Sequence, residues 1–125
     1  MTNVTSLGSF DDCVDCLDGR ESRVLRNNVR LVRDGADITV VHHTTAIVRY
    51  SPNGMFVMDC DGYRSATTKA NLNRYTKLDV YQRRGEWFVS GAGNDEMDYH
   101  DGMGFFGKPG RDWIANREGA AELFA

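Results

Sequence analysis

The stretch Val29-Arg30-Leu31-Val32-Arg33-Asp34-Gly35-Ala36-Asp37-Ile38-Thr39-Val40-Val41 decides the fold class. Two short runs rich in β-branched residues flank Asp34-Gly35, a two-residue hairpin signal. The pairing this implies is antiparallel. The same β-branched character runs on through Thr44-Thr45-Ala46-Ile47-Val48-Arg49-Tyr50. Parity breaks on the way, because Val40 and Ile47 fall on opposite faces of an uninterrupted strand. A bulge or bend near His42-His43 reconciles them.

Working outward, Ser51-Pro52-Asn53-Gly54 is the clearest turn in the chain, with Pro52 presetting φ and Gly54 accepting a left-handed conformation. Met55 to Cys60 returns as a strand. Over 66–75 the period changes. Thr67 or Thr68 suits an N-cap, and Thr68, Leu72 and Tyr75 recur at the spacing of one helical face. Lys69 and Asn73 fall on another, solvent-facing side. A further hairpin joins Leu78–Gln82 to Glu86–Ser90 around Arg83-Arg84-Gly85. Ser9-Phe10-Asp11-Asp12 has capping-box spacing, and Phe10, Cys13, Val14 and Leu17 follow at helical spacing, so 10–18 reads as a short amphipathic helix. Residues 91–110 hold six glycines and little periodicity, which reads as a loop or arm. Asp112 to Phe124 reads as a terminal helix. The expectation is one α+β domain over 1–125: a small antiparallel sheet, a meander of about five strands, with a short central helix and short helices near the termini. The acidic N-terminal helix occupies 1–19, the core 20–90, and the Gly-rich acidic arm 91–125.

The chain has 125 residues and a formal net charge of −3. That charge is distributed in three blocks. Residues 1–19 carry four aspartates and no basic residue; 20–90 carry twelve basic and seven acidic residues, net +5; 91–125 return to net −4. A basic middle suits nucleic acid or an acidic protein face, and the acidic ends are able to fold back and neutralise it. No run of eighteen apolar residues exists, so no membrane helix is expected. Nor does the N-terminus show a signal peptide. Three sparse cysteines fit a reducing cytosol better than a disulfide scaffold.

Several residue groups carry chemistry on paper, each with a plainer reading beside it. Cys13-x-x-Cys16 has metal or redox spacing, but no second Cys pair accompanies it, and its aspartate neighbours disfavour a thiolate. His42-His43 resembles an acid–base pair, yet adjacent strand residues point to opposite faces, one ring buried and one exposed. Asp95, Glu96, Asp98 and Asp101 with His100 form an acidic cluster without EF-hand order, so a solvated loop is the expectation. Phosphate-loop, nucleophile-elbow and zinc-protease motifs are missing. No catalytic residue, metal or cofactor is assigned. Among partner-binding candidates, Arg64, Lys69, Arg74, Lys77, Arg83 and Arg84 fall within twenty-one residues and interleave with tyrosines, as phosphate contact and base stacking require. The acidic candidates are Asp95, Glu96, Asp98 and Asp101. Phe105 and Phe106 either anchor an interface or tuck into the core.

Asn27-Asn28-Val29-Arg30-Leu31-Val32-Arg33, His43-x-Thr45-x-Ile47-Val48, Asn53-Gly54, Gly62-Tyr63-Arg64-Ser65-x-Thr67-Thr68-Lys69, Asn71-x-Asn73 and Val80-Tyr81-Gln82-x-x-Gly85-x-Trp87-Phe88 together carry a resemblance. The pattern is similar to that of small uncharacterised tailed-bacteriophage proteins, which run N-N-x-x-L, H-x-T-x-I-V, then G-[WY]-x-[ST]-x-T-T-K-x-x-[IL]-N. It covers 25–90. Asp61-Gly62-Tyr63 departs from the G-G-W of that set. The resemblance implies a phage origin and the cytoplasm of an infected bacterial host, and it supplies no catalytic residue. The leading expectation is a non-enzymatic accessory protein that binds and modulates a host macromolecule, with a host or phage protein as partner. The alternative is a nucleic-acid-binding module using 64–84, and a third reading is a virion component.

Overall fold

A computed structural model describes residues 7–62, 64–76, 78–91, 94–106 and 114–116. In chain order the elements are α1 (Phe10–Leu17), β1 (Ser22–Arg26), β2 (Val29–Asp34), β3 (Asp37–His42), β4 (Thr45–Tyr50), β5 (Met55–Met58), α2 (Ala66–Thr76), β6 (Asp79–Arg83), β7 (Glu86–Gly91), β8 (Asn94–Asp98), β9 (Met103–Phe106) and β10 (Ile114–Asn116). Strands β1 to β5 form an antiparallel meander, which β9 and β10 extend to seven strands. Strands β6, β7 and β8 make a separate sheet. The fold is α+β, as the alternating patterns imply.

Register explains the core. Ile38, Tyr50, Phe56 and Phe105 are successive cross-strand partners, and all four are buried. Leu31, Val40, Val48, Met58 and Met103 form the next row on the same face. Helix α1 covers this face with Cys13, Cys16 and Leu17, and α2 covers it with Thr68, Leu72 and Tyr75. The i, i+4, i+7 face read from the sequence is thus the buried one. The Tyr50 hydroxyl donates to the Tyr75 carbonyl, tying sheet to helix. In the third inward row, at the hairpin ends, Val29 is buried while its successive partners His42 and Thr45 are only half-buried.

The structure amends the expected elements in several places. The 36–50 run is two strands, joined by a two-residue loop at His43-Thr44, where His43 takes φ 57°. A bulge remains, but in β4: Val40 pairs with Val48 and Val41 with Ala46, so the extra residue is Ile47. The first hairpin loop is Gly35-Ala36 rather than Asp34-Gly35, because Asp34 pairs with Asp37 and the positive φ falls on Gly35. Strand β1 and its Asn27-Asn28 turn precede the predicted sheet. Ser65, not Thr67 or Thr68, caps α2: its hydroxyl accepts from Thr68 N at 3.1 Å.

The Gly-rich stretch is not an arm throughout. Asn94–Asp98 and Met103–Phe106 are strands. Carboxylates at Asp95, Glu96 and Asp98 hide the pattern of β8, an edge strand whose charges keep it from further pairing. In β9, Gly104 sits between buried Met103 and Phe105, opposite Val57 on the other face. Residues 114–116, expected to be helical, form β10 against β9; the remainder of the expected 112–124 helix lies outside the described residues.

The N-terminal helix forms where its capping box places it. The Ser9 hydroxyl accepts from Asp12 N at 3.2 Å, and the Asp12 carboxylate accepts from Gly8 N at 3.1 Å. Asp18 adopts φ 51° at its C-cap, and Arg23 donates to the Cys16 carbonyl at 2.8 Å.

Candidate functional site: the groove beside helix α2

Two residues of α2 set up a contrast. Asn73 faces β6, where its amide nitrogen donates to the Val80 carbonyl at 2.9 Å and its carbonyl accepts from Val80 N. Asn71, about 200° around the helix, faces the other flank. It is 2% exposed, and its amide nitrogen has no acceptor among the described residues. The Arg74 Nε, one turn on, is buried and likewise without an acceptor. Buried donors are normally satisfied, since an unpaired amide costs about 1–3 kcal/mol.

Asn71 and Arg74 line a groove of about 510 Å³. Thr67, Asn71 and Arg74 form its helical wall, at the same i, i+4, i+7 spacing as the core row but displaced by one residue. Ala66 and Ala70 are small and leave the cleft open. The opposite wall is the Arg26-Asn27-Asn28 hairpin tip, and the floor comprises Val29, His42 and His43. A second cavity of about 390 Å³ shares His42, His43 and Thr67 with the first and continues past Thr45, Thr68 and Cys60. Among the described residues no Asp or Glu lines either cavity, in a protein whose net charge is −3.

The two histidines do not diverge as strand neighbours would. His43 sits in the left-handed turn, so the rings approach to 4.4 Å with a 41° tilt and share the groove. His43 is exposed and His42 half-buried. Burial, then the neighbouring His43, lowers the His42 pKa below its ordinary value, which favours neutral imidazole.

A second cluster fixes the approach to α2. Asp101 Oδ1 accepts from Cys60 N at 3.1 Å and from Cys60 Sγ, Arg64 Nη1 and the Tyr99 hydroxyl at 3.0 Å. Its Oδ2 accepts from Gly62 N at 2.9 Å. Burial alone would raise this carboxyl's pKa; the donors from Cys60, Gly62 and Tyr99 outweigh it and hold the pKa at about 2. Arg64 stacks over Tyr99 at 4.5 Å and Trp87 at 5.3 Å. The knot pins the loop before α2 to the turn before β9, which sets the helix over the sheet.

The remaining predicted residues are dispersed. Arg83 pairs with Glu96 at 2.8 Å and lies over Phe88 at 4.6 Å. Lys69 reaches Gln82 at 3.5 Å and lies over Trp87 at 5.8 Å. Arg84 is exposed in the β6–β7 turn, and Asp95 and Asp98 are exposed on β8. Phe105 is fully buried and stacks on Phe56 at 5.3 Å, so it belongs to the core rather than to an interface. Phe106 lies in β9, its side chain outside the described residues, as is Lys77. The acidic segment therefore folds back on the basic one through Asp101–Arg64 and Glu96–Arg83. Among the described basic candidates only Arg74 lines the groove. Arg26, Asn27, Asn28 and Asn71 lie outside the sequence candidates, and His42 and His43, expected on opposite faces, meet in the groove instead; the Thr67-Asn71-Arg74 spacing is a sequence signal for its helical wall alone.

The cysteine pair is packing. Cys13 and Cys16 are buried on α1, and burial, then Asp12 and Cys16, pushes the Cys13 thiol far up. No group of three or more potential metal ligands assembles among the described residues.

A family model described as Kyanoviridae Gp96 protein matches residues 17–106. The chain belongs to this family. It is a phage protein, and the matched span contains all of 25–90, the groove included. No curated protein and no solved structure matches the chain. Among the described residues no helix is long and apolar enough to cross a membrane.

Proposed function

We propose that this Gp96-family protein is a non-enzymatic phage accessory protein that binds and modulates or inhibits a host macromolecule in the cytoplasm of the infected cell, and that the α2 groove is its recognition surface. One observation carries the reading: Asn71 and Arg74 line a cleft with no carboxylate among its described lining residues, and their buried Nδ2 and Nε have no acceptor among the described residues. A donor left unpaired in the isolated protein is worth its cost where a ligand supplies the acceptor. The T-T-K block that carries the resemblance to other phage proteins contributes Thr67 to the groove wall and Thr68 to the adjoining cavity, which fits a shared use of this surface.

Capture of host components on tagged protein tests the proposal, with Asn71→Leu, Arg74→Glu and Arg83→Gln variants beside the parent chain. A stoichiometric component lost with the two groove variants and kept with Arg83→Gln supports it. Capture unaffected by the groove variants overturns it. The alternative, nucleic-acid binding through 64–84, is weakened by the ion pairs that engage Arg64 and Arg83; it predicts losses at Arg83 and Arg84 equal to those at Arg74.

A further inference from the structure

Granting that the groove is the recognition surface, we infer that it holds a phosphate group of a nucleotide-sized ligand. The donors approach from two separate elements, α2 and the β1–β2 hairpin. Arg74 and Asn71 come from the helix wall, Arg26 and Asn28 from the hairpin tip, and the Thr67 hydroxyl from the first turn of α2. A carboxylate offers two oxygens in one plane, whereas a phosphate presents oxygens in several directions and suits donors converging from opposite walls. Two guanidinium groups, with no carboxylate among the described lining residues, favour an oxyanion over a neutral carbonyl. Asn71 adds what a merely basic surface lacks: a side chain 98% buried by the fold whose amide still needs an acceptor.

The size of the cleft extends the assignment. A volume of about 510 Å³ exceeds what a phosphate fills and lies in the range of small-molecule sites. The additional space runs past the two imidazole rings into the second cavity, lined by Ile47 and by the hydroxyls of Thr45 and of Thr68, which accepts from Ser65 Oγ at 2.9 Å. Planar rings beside hydroxyl donors suit a sugar and base attached to the phosphate. Free nucleotides and the backbone of a single strand share this chemistry.

Fluorescence anisotropy of a labelled 12-nucleotide single strand, at about 50 mM salt, with adenosine monophosphate and inorganic phosphate as competitors and as ligands followed by calorimetry, tests the assignment. Arg74→Gln is expected to weaken binding about ten-fold or more, Asn71→Leu several-fold, and Arg83→Gln or Arg84→Gln less than about two-fold. Arg74→Lys should restore part of the loss, and circular dichroism verifies that each variant is folded. Binding of the strand without the mononucleotide assigns the phosphate to a nucleic-acid backbone; binding of the mononucleotide without the strand assigns it to a free nucleotide. Absence of binding by all three probes, or losses that are equal at Arg74 and Arg83, overturns the inference. In that case groove-dependent capture of a host protein would leave the broader function standing, whereas its loss as well would remove both.

Discussion

Helix α2 has two flanks, and the same residue type serves them differently. On the β6 flank Asn73 uses both ends of its amide on the Val80 backbone. On the groove flank Asn71 is more deeply placed, and its amide nitrogen has no acceptor among the described residues. The arginines repeat the contrast. Arg64 is held by Asp101 and two aromatic rings, while Arg74 keeps an unpaired Nε. A satisfied polar group fixes local geometry; an unsatisfied one in a cleft is stored binding capacity. The two flanks thus separate the residues that build the protein from those it presents.

The largest expected effect falls on the building side. Asp101→Ala strips the acceptor from Cys60, Gly62, Arg64 and Tyr99 together, and should lower unfolding stability by about 2–3 kcal/mol in denaturant titrations. The same carboxylate gives a pH signature. Its folded pKa, about 2, lies below the ordinary 3.8, so its stabilisation is complete above the ordinary value and is lost as pH falls through about 2. Asp101→Asn should flatten the stability profile over that acid window; an unchanged profile would mean that other carboxylates dominate there.

Asn73→Ala comes next, at about 2 kcal/mol, because it leaves both backbone groups of Val80 without their side-chain partner. Asn71→Leu is the sharpest contrast. Removing an unsatisfied buried amide in favour of a similar apolar volume should leave stability unchanged or raise it by about 1 kcal/mol. A loss equal to that of Asn73→Ala would break the distinction between the flanks. The smallest effect belongs to Arg83→Gln and Glu96→Gln, under about 0.5 kcal/mol each, since that pair is 57% and 39% exposed.

Much of the fold was legible because local rules and tertiary packing agree. The Pro52-Asn53-Gly54 turn, the Thr68-Leu72-Tyr75 face and the Ser9 cap each follow from a few adjacent residues. The elements that were missed lack that agreement. In β8 the acidic side chains face solvent and erase the apolar alternation, and in β9 a glycine stands where the second face needs no side chain. The His42-His43 turn was hidden because a histidine, not a glycine or asparagine, takes the left-handed position. The candidate site was less legible still. The basic residues 64–84 are close in sequence, but Asp101 and Glu96 claim two of them from afar. The groove joins Arg26 and Asn28 to Asn71 and Arg74, a juxtaposition set by how α2 lies on the sheet.

The most direct measurement is a nitrogen-15 NMR titration that follows the Asn71 side-chain amide and the Arg74 and Arg64 Nε–H signals while a phosphate-bearing ligand is added. The account predicts shifts at Asn71 and Arg74 that saturate together while Arg64 stays still. Movement at Arg64, with Asn71 and Arg74 silent, would contradict it.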